Sequence, residues 1–162
     1  RLINPSFEQY EGDLLLEGPD QIRVTGWTFS KYREVDKISR FSLVRMPVHG
    51  EFAGAILASG EAPVSIRQNL PLTSPGRYQA RAWIRTVHST DAPVIRIHLW
   101  NPASGTLVAP GATFSPDTQF REYRFDFHIA ELPAQPPEFV ISVTSGKGDI
   151  LIDQVSVQKI DP

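Results

Sequence analysis

The strongest constraint in this chain is the strict alternation of apolar and polar residues within short runs. In Tyr78 to Arg85, the residues Tyr78, Ala80, Ala82 and Ile84 share one face, and Gln79, Arg81, Trp83 and Arg85 share the other. Ile95, Ile97 and Leu99 likewise oppose Arg96, His98 and Trp100. Tyr123, Phe125, Phe127 and Ile129 oppose Arg124, Asp126 and His128, and Phe139, Ile141 and Val143 oppose Val140, Ser142 and Thr144. A period of two is the signature of a half-buried strand. Further strands are expected at 38–44, 52–58, 64–70 and 150–160, with a short one at 22–24 inside an otherwise long loop over 8–25. No stretch of helical length carries apolar residues at helical spacing without Pro or Gly. The 14 Pro and 11 Gly are scattered as punctuation, so Ser74-Pro75-Gly76, Ala92-Pro93, Ala109-Pro110-Gly111 and Pro133 to Pro137 read as turns or loops. Eight to ten short strands must pack as two sheets to bury one face of each, which makes the chain all-β.

At 162 residues the chain is expected to be one domain, 1–162, able to bury a core without staples. The net charge of -2 gives no general attraction to nucleic acid or membrane surface. No apolar run approaches the roughly 20 residues needed to cross a bilayer. There is no cysteine, which removes thiol catalysis, thiolate metal sites and disulfides together. The chain begins without Met, shows no signal-peptide pattern and ends abruptly, as a fragment cut from a larger protein would.

Three landmarks carry a family resemblance. The first is Leu2-Ile3-Asn4-Pro5-Ser6-Phe7-Glu8 followed by Gly26-Trp27; the second runs from Gln68-Asn69-Leu70 through Pro75-Gly76-Arg77-Tyr78 to Ile84; the third is Asp149 to Val157. In this order they resemble the carbohydrate-binding modules of the family 4/9 and family 22 group, which are galactose-binding-like. That resemblance implies an all-β jelly-roll β-sandwich of two antiparallel sheets, binding glycans on a concave sheet face or at loop tips. It also implies a structural Ca²⁺ near the chain ends, for which the matching positions are Glu8, Gly50 in a small loop, and Asp153. A hard cation of this kind takes six to eight oxygens from carboxylates and carbonyls. An extracellular or cell-surface location, beside a catalytic or cell-surface domain, follows from the resemblance alone.

Sugars are held by aromatic rings stacked on pyranose C–H faces and by planar polar groups bonded to hydroxyls. The polar faces of the alternating runs offer Gln79, Arg81, Trp83, Arg85, Arg96, His98, Trp100, Arg124, Asp126 and His128, which are expected to form one patch if their strands are neighbours. Outward sheet faces are routinely polar without any ligand, so the two outward Trp residues carry the reading. Trp27 belongs to the core, whereas Phe29 and Tyr32 could line a site edge. Four Arg and two His against one Asp favour an anionic glycan, though Arg also serves neutral hydroxyl pairs. Asp126 is the only acid on these faces, so the carboxylate pair a glycosidase needs is not apparent. The four His lack compact metal spacing, and neither a nucleophile elbow nor a phosphate-binding loop is present. The expectation is a module that binds a poly- or oligosaccharide without catalysis. The alternative is a structural or protein-interaction sandwich that binds no glycan.

Overall fold

The computed structural model describes residues 2–11, 23–31, 36 and 38–160. Ten strands lie among them: β1 (Tyr10–Glu11), β2 (Arg23–Val24), β3 (Thr28–Lys31), β4 (Arg40–Val44), β5 (Ala53–Ala58), β6 (Val64–Asn69), β7 (Gly76–Asn101), β8 (Thr106–Phe114), β9 (Arg121–Ile129) and β10 (Glu138–Lys159). β7 and β10 are the spine. They pair antiparallel along nearly their whole length and bend together midway, where the register slips repeatedly between Val143 and Asp149. On β7 the bend is made by His88, Asp91 and Ala92, all at positive φ. On β10 it needs glycine: a Cβ at Gly146 would lie 2.5 Å from the Pro93 Cα, and one at Gly148 2.6 Å from the Ser89 Cα. Ala92-Pro93, expected to end a strand, is therefore a corner inside one.

The bend divides the sheet into two layers of five strands. The first runs β3, β6, the 138–143 half of β10, the 94–101 half of β7, then β8; the second runs β4, β5, the 148–159 half of β10, the 76–87 half of β7, then β9. The period of two puts Ile95, Ile97, Leu99, Phe139 and Ile141 of the first layer, and Tyr78, Ala80, Ala82, Ile84, Ile150 and Ile152 of the second, into one hydrophobic core. This is the expected two-sheet jelly roll.

The opening motif closes one end of the sandwich. The Asn4 side chain bonds the backbone of Gln9 in both directions and donates to the Thr25 carbonyl, while the Asn4 carbonyl accepts from the Trp27 indole at 3.1 Å. Phe7 is fully buried and stacks on Trp27, with ring centroids 5.3 Å apart. Trp27 is core, as expected. Gln68 brackets Ile3 with one bond to its N–H and one to its carbonyl.

Two stretches differ from expectation. Ala109-Pro110-Gly111 lies inside β8 rather than in a turn. β8 is an edge strand, and the register slips by one residue opposite Ile97 and Leu99, so the Pro falls at a bulge where no ladder bond is lost. Phe29, a candidate for a site edge, lies in β3 and packs against the core. Tyr32 and Ile22 fall outside the described residues.

Candidate functional site

The ten residues expected to share one patch are divided by the sandwich. Arg96, His98 and Trp100 project from the outer face of the first layer; Gln79, Arg81, Trp83, Arg85, Arg124, Asp126 and His128 project from that of the second. The physical reason is the corner in β7: its two halves keep their alternation but lie in opposite sheets, so their polar sides face opposite ways. Trp83 and Trp100 are both half-buried rather than sealed inside.

On the first face, directly paired residues form rows across the strands. Thr28, Arg67, Val140 and His98 make one row; Ser30, Ser65, Ser142, Arg96 and Thr113 make the next; Asn69, Glu138, Trp100 and Leu107 make a third. Between the long side chains, Ser65, Val140 and Ser142 are buried as a floor. An open depression of about 290 Å³ lies over the second row, lined by Ser30, Lys31, Ser65, Arg67 and Ser142. Arg67 lies 3.6 Å from the Glu138 carboxylate and donates to the Ser65 hydroxyl at 3.2 Å. Its Nε, and the Nδ1 of His98, are buried with no hydrogen-bond partner. Such groups carry a desolvation cost that a bound ligand or water relieves. Burial first, then the charges of Arg96 and Arg67, push His98 down to about 4, so its imidazole is neutral at pH 7 and can both donate and accept. Arg96 lies across the β8 bulge: a Cβ at Gly111 would come within 2.8 Å of the Arg96 Nε.

Arg67, Ser65, Ser142 and Glu138 were not among the expected site residues. The signal was available for three of them: the alternation in 139–144 already put Ser142 on the polar face. The segment 64–70 was expected as a strand, and its alternation puts Ser65 and Arg67 opposite Val64 and Ile66.

The second face is quieter. Gln79 donates to Asp126 at 2.8 Å, Arg81 donates to Gln79 at 2.7 Å, and Arg124 pairs with Glu122. Arg85 lies 5.6 Å from the Phe120 ring centre, with its Nε unpartnered. Towards β5 this face is closed, with Ala53, Ala55, Leu151 and Asp153 all buried.

Glu8, Gly50 and Asp153 do come together. One loop supplies amide hydrogens to both acids: Val48 and His49 donate to Asp153 Oδ2, and Glu51 and Phe52 donate to Glu8 Oε1. Gly50, at φ 80°, packs so closely on Glu8 that a Cβ would lie 2.2 Å from its Oε1. Asp153 is wholly buried; desolvation and the nearby Glu8 charge push its carboxyl up, against the three amides of His49, Gln154 and Val48. The exposed Glu8 carboxylate beside the buried Asp153 puts two acids on one loop, a charge that a hard cation such as Ca²⁺ would neutralise. Among the described residues no three of His, Asp and Glu are grouped as metal ligands, so further oxygens would have to come from backbone carbonyls.

No protein-family model matches the chain, and no curated protein matches it. Solved structures do. The chain is similar to a family 16 carbohydrate-binding module at 17% identity, covering 98% of this chain and 99% of that one with a TM-score of 0.66. It is similar to a family 4 carbohydrate-binding module at 15% identity, with 98% and 99% covered and a TM-score of 0.68. An arabinose-bound α-L-arabinofuranosidase matches at 12% identity and a TM-score of 0.70, over 96% of this chain but 26% of the enzyme. At these identities the likeness is one of fold, and it agrees with the resemblance carried by the three sequence landmarks: this chain has the all-β jelly-roll fold found in carbohydrate-binding modules.

Proposed function

We propose that the outer face of the first layer docks a poly- or oligosaccharide and that the chain is a non-catalytic carbohydrate-binding module. The observation that carries this reading is the pair of buried, unpartnered nitrogens, Arg67 Nε and His98 Nδ1, on an open face that also presents Trp100. Trp100 supplies a stacking surface, with Leu107 and Glu138 beside it in the same row. Arg67, Arg96 and neutral His98 supply a fan of hydrogen-bonding groups over a serine floor. Rigid strands hold these groups in place before a ligand arrives, which lowers the ordering cost of binding. Arg67, Arg96 and Lys31 outnumber Glu138 here, which favours an acidic glycan such as a uronate polymer.

The same reading places a structural Ca²⁺ at Glu8 and Asp153 with the Gly50 carbonyl. It would bind the terminal strands to the 48–52 loop and do no chemistry. A location outside the cell or at its surface, and attachment to a catalytic or cell-surface domain, complete the proposal. Support for attachment comes from the arabinofuranosidase, where the matching fold is about a quarter of an enzyme chain.

Calorimetric titration with neutral and uronate oligosaccharides tests the reading. Trp100→Ala and Arg96→Ala are each expected to weaken uronate binding roughly tenfold or more with unfolding temperature nearly unchanged. Uronate binding that survives both substitutions overturns this face as the docking surface, and a folded wild-type protein that binds no glycan overturns the reading and favours a protein-interaction role.

A further inference from the structure

We propose a second saccharide subsite at Trp83, on the face opposite the first. It rests on the reading above only for the class of ligand; its geometry is separate. Trp83 lies on an inner strand of the second layer, directly paired with Glu122 on β9 and with Asp153 on β10. An open depression of about 330 Å³ lies against it, lined by Arg81, Glu122, Gln154, Ser156 and His49. That volume sits at the lower end of the range of about 300–1,000 Å³ usual for small-ligand sites, enough for a sugar unit or two.

The depression is made by a β-bulge. Between Asp153 and Ser156, three residue steps on β10 face two steps from Trp83 to Arg81 on β7. Gln154 takes up the extra length in the left-handed region, at φ 47°. A glutamine there is strained by about 1–2 kcal/mol, and such strain persists only where neighbours enforce it. The enforcing contacts are present: Gln154 N–H donates to Asp153 Oδ1 at 2.8 Å, and Val155 N–H donates to the Pro5 carbonyl at 2.9 Å. They turn Val155 fully inward and leave Gln154 at the rim beside Trp83.

Gln79 and Asp126 on this face satisfy each other; at this corner several polar groups have no partner. Glu122 gives one carboxylate oxygen to Arg124, and Arg81 gives its Nε to Gln79. The other Glu122 oxygen, the terminal Arg81 nitrogens, the Gln154 amide and the Ser156 hydroxyl have no protein partner among the described residues. An indole beside a donor fork, an acceptor and an amide matches a pyranose with adjacent hydroxyls. Arg81 and Glu122 cancel in charge, so this site takes a neutral sugar, unlike the cationic first face. With sites on opposite faces, one molecule bridges two glycan chains.

Isothermal titration of the full chain with xylohexaose, cellohexaose and tri-galacturonate reads the number of sites. The wild type is expected to bind two sugars per molecule. Trp100→Ala keeps the neutral site, and Trp83→Ala keeps the first face. Should Trp83→Ala misfold by circular dichroism, Glu122→Ala and Gln154→Ala, each expected to weaken the second site at least fivefold, take its place. One site per molecule, removed by Trp100→Ala and indifferent to Trp83, Glu122 and Gln154, overturns the second subsite and leaves the first reading intact. Two sites of which only the Trp83 one survives every substitution on the first face is the expected positive result. Binding at Trp83 alone in the wild type overturns the first reading, and no binding of any probe overturns both.

Discussion

The two outer faces arise from the same two strands and the same period of two, yet they differ in what their polar side chains do. On the second layer, Gln79, Arg81, Asp126, Arg124 and Glu122 are engaged with one another, Arg85 Nε is the buried nitrogen without a partner among the described residues, and the side towards β5 is closed. On the first layer, Arg67 Nε and His98 Nδ1 are buried with nothing to bond, above a floor of small residues. Outward polarity is thus a poor mark of a site, because cross-strand pairing is its ordinary use. Outward polarity left unpaired is the better mark, because burial without a partner costs free energy that only a ligand or water returns.

The largest expected effect falls on the closed face. Asp153→Ala removes the acceptor for three backbone amides, those of Val48, His49 and Gln154, and frees the loop that also anchors Glu8. A loss of about 3 kcal/mol in unfolding free energy is expected by denaturant titration, with uronate affinity of the folded fraction at the first face unchanged. Calcium sharpens the test. Millimolar Ca²⁺ is expected to raise the wild-type melting temperature by several degrees, a chelator to reverse this, and Asp153→Ala to abolish the response. A wild type indifferent to Ca²⁺ removes the metal from the proposal. Loss of uronate binding in folded Asp153→Ala breaks the separation of the two faces.

A smaller effect is expected at the β8 bulge. Gly111→Ala puts a methyl group 2.8 Å from the Arg96 Nε and 3.0 Å from the Ile97 carbonyl oxygen. Arg96 must move off the strand or the bulge must shift, at a cost of about 1 kcal/mol. Uronate binding is expected to fall severalfold while the melting temperature falls by only a few degrees. An unchanged uronate affinity would mean that the seat of Arg96 on β8 plays no part in binding.

The sequence made the layers legible but not their relation. The alternation in 78–85, 94–100, 123–129 and 139–144 identified which residues face the core, because a one-residue error would bury every Arg. It could not show that 78–85 and 94–100 lie in opposite sheets. That depends on the corner at 88–93, where three non-glycine residues take positive φ inside a continuous strand. A Pro and a nearby strand end suggested a break, and a break would have let the two halves share a face. Arg67 was missed for a related reason: its partner Glu138 is 71 positions away, and pairing at that distance is a property of sheet order. The acids at Glu8 and Asp153 were reachable only through the family resemblance, since nothing local links residues so far apart.

The smallest effect expected is one of pH, and it has opposite sign on the two faces. His98 is held near 4, below its ordinary 6.5, by burial and by Arg96 on its own strand and Arg67 on β6, with Glu138 of β10 partly offsetting Arg67. The unfolded chain therefore takes up a proton before the folded one, and this contribution to stability is lost as pH falls from about 6.5 towards 4. Asp153 is shifted the other way: the folded carboxyl holds its proton above the usual value of 3.8, so acidification through that window favours the folded state. Replacing His98 by Gln removes the first term and leaves the second. The wild type is expected to lose roughly 1–2 kcal/mol more than His98→Gln between pH 7 and pH 4, allowing for solvent screening of a half-buried group. Denaturant melts of both proteins at the two pH values measure the difference. Equal losses would show that neither burial nor the charges of Arg96 and Arg67 hold His98 below its ordinary value, and with that the pH contrast between the faces would disappear.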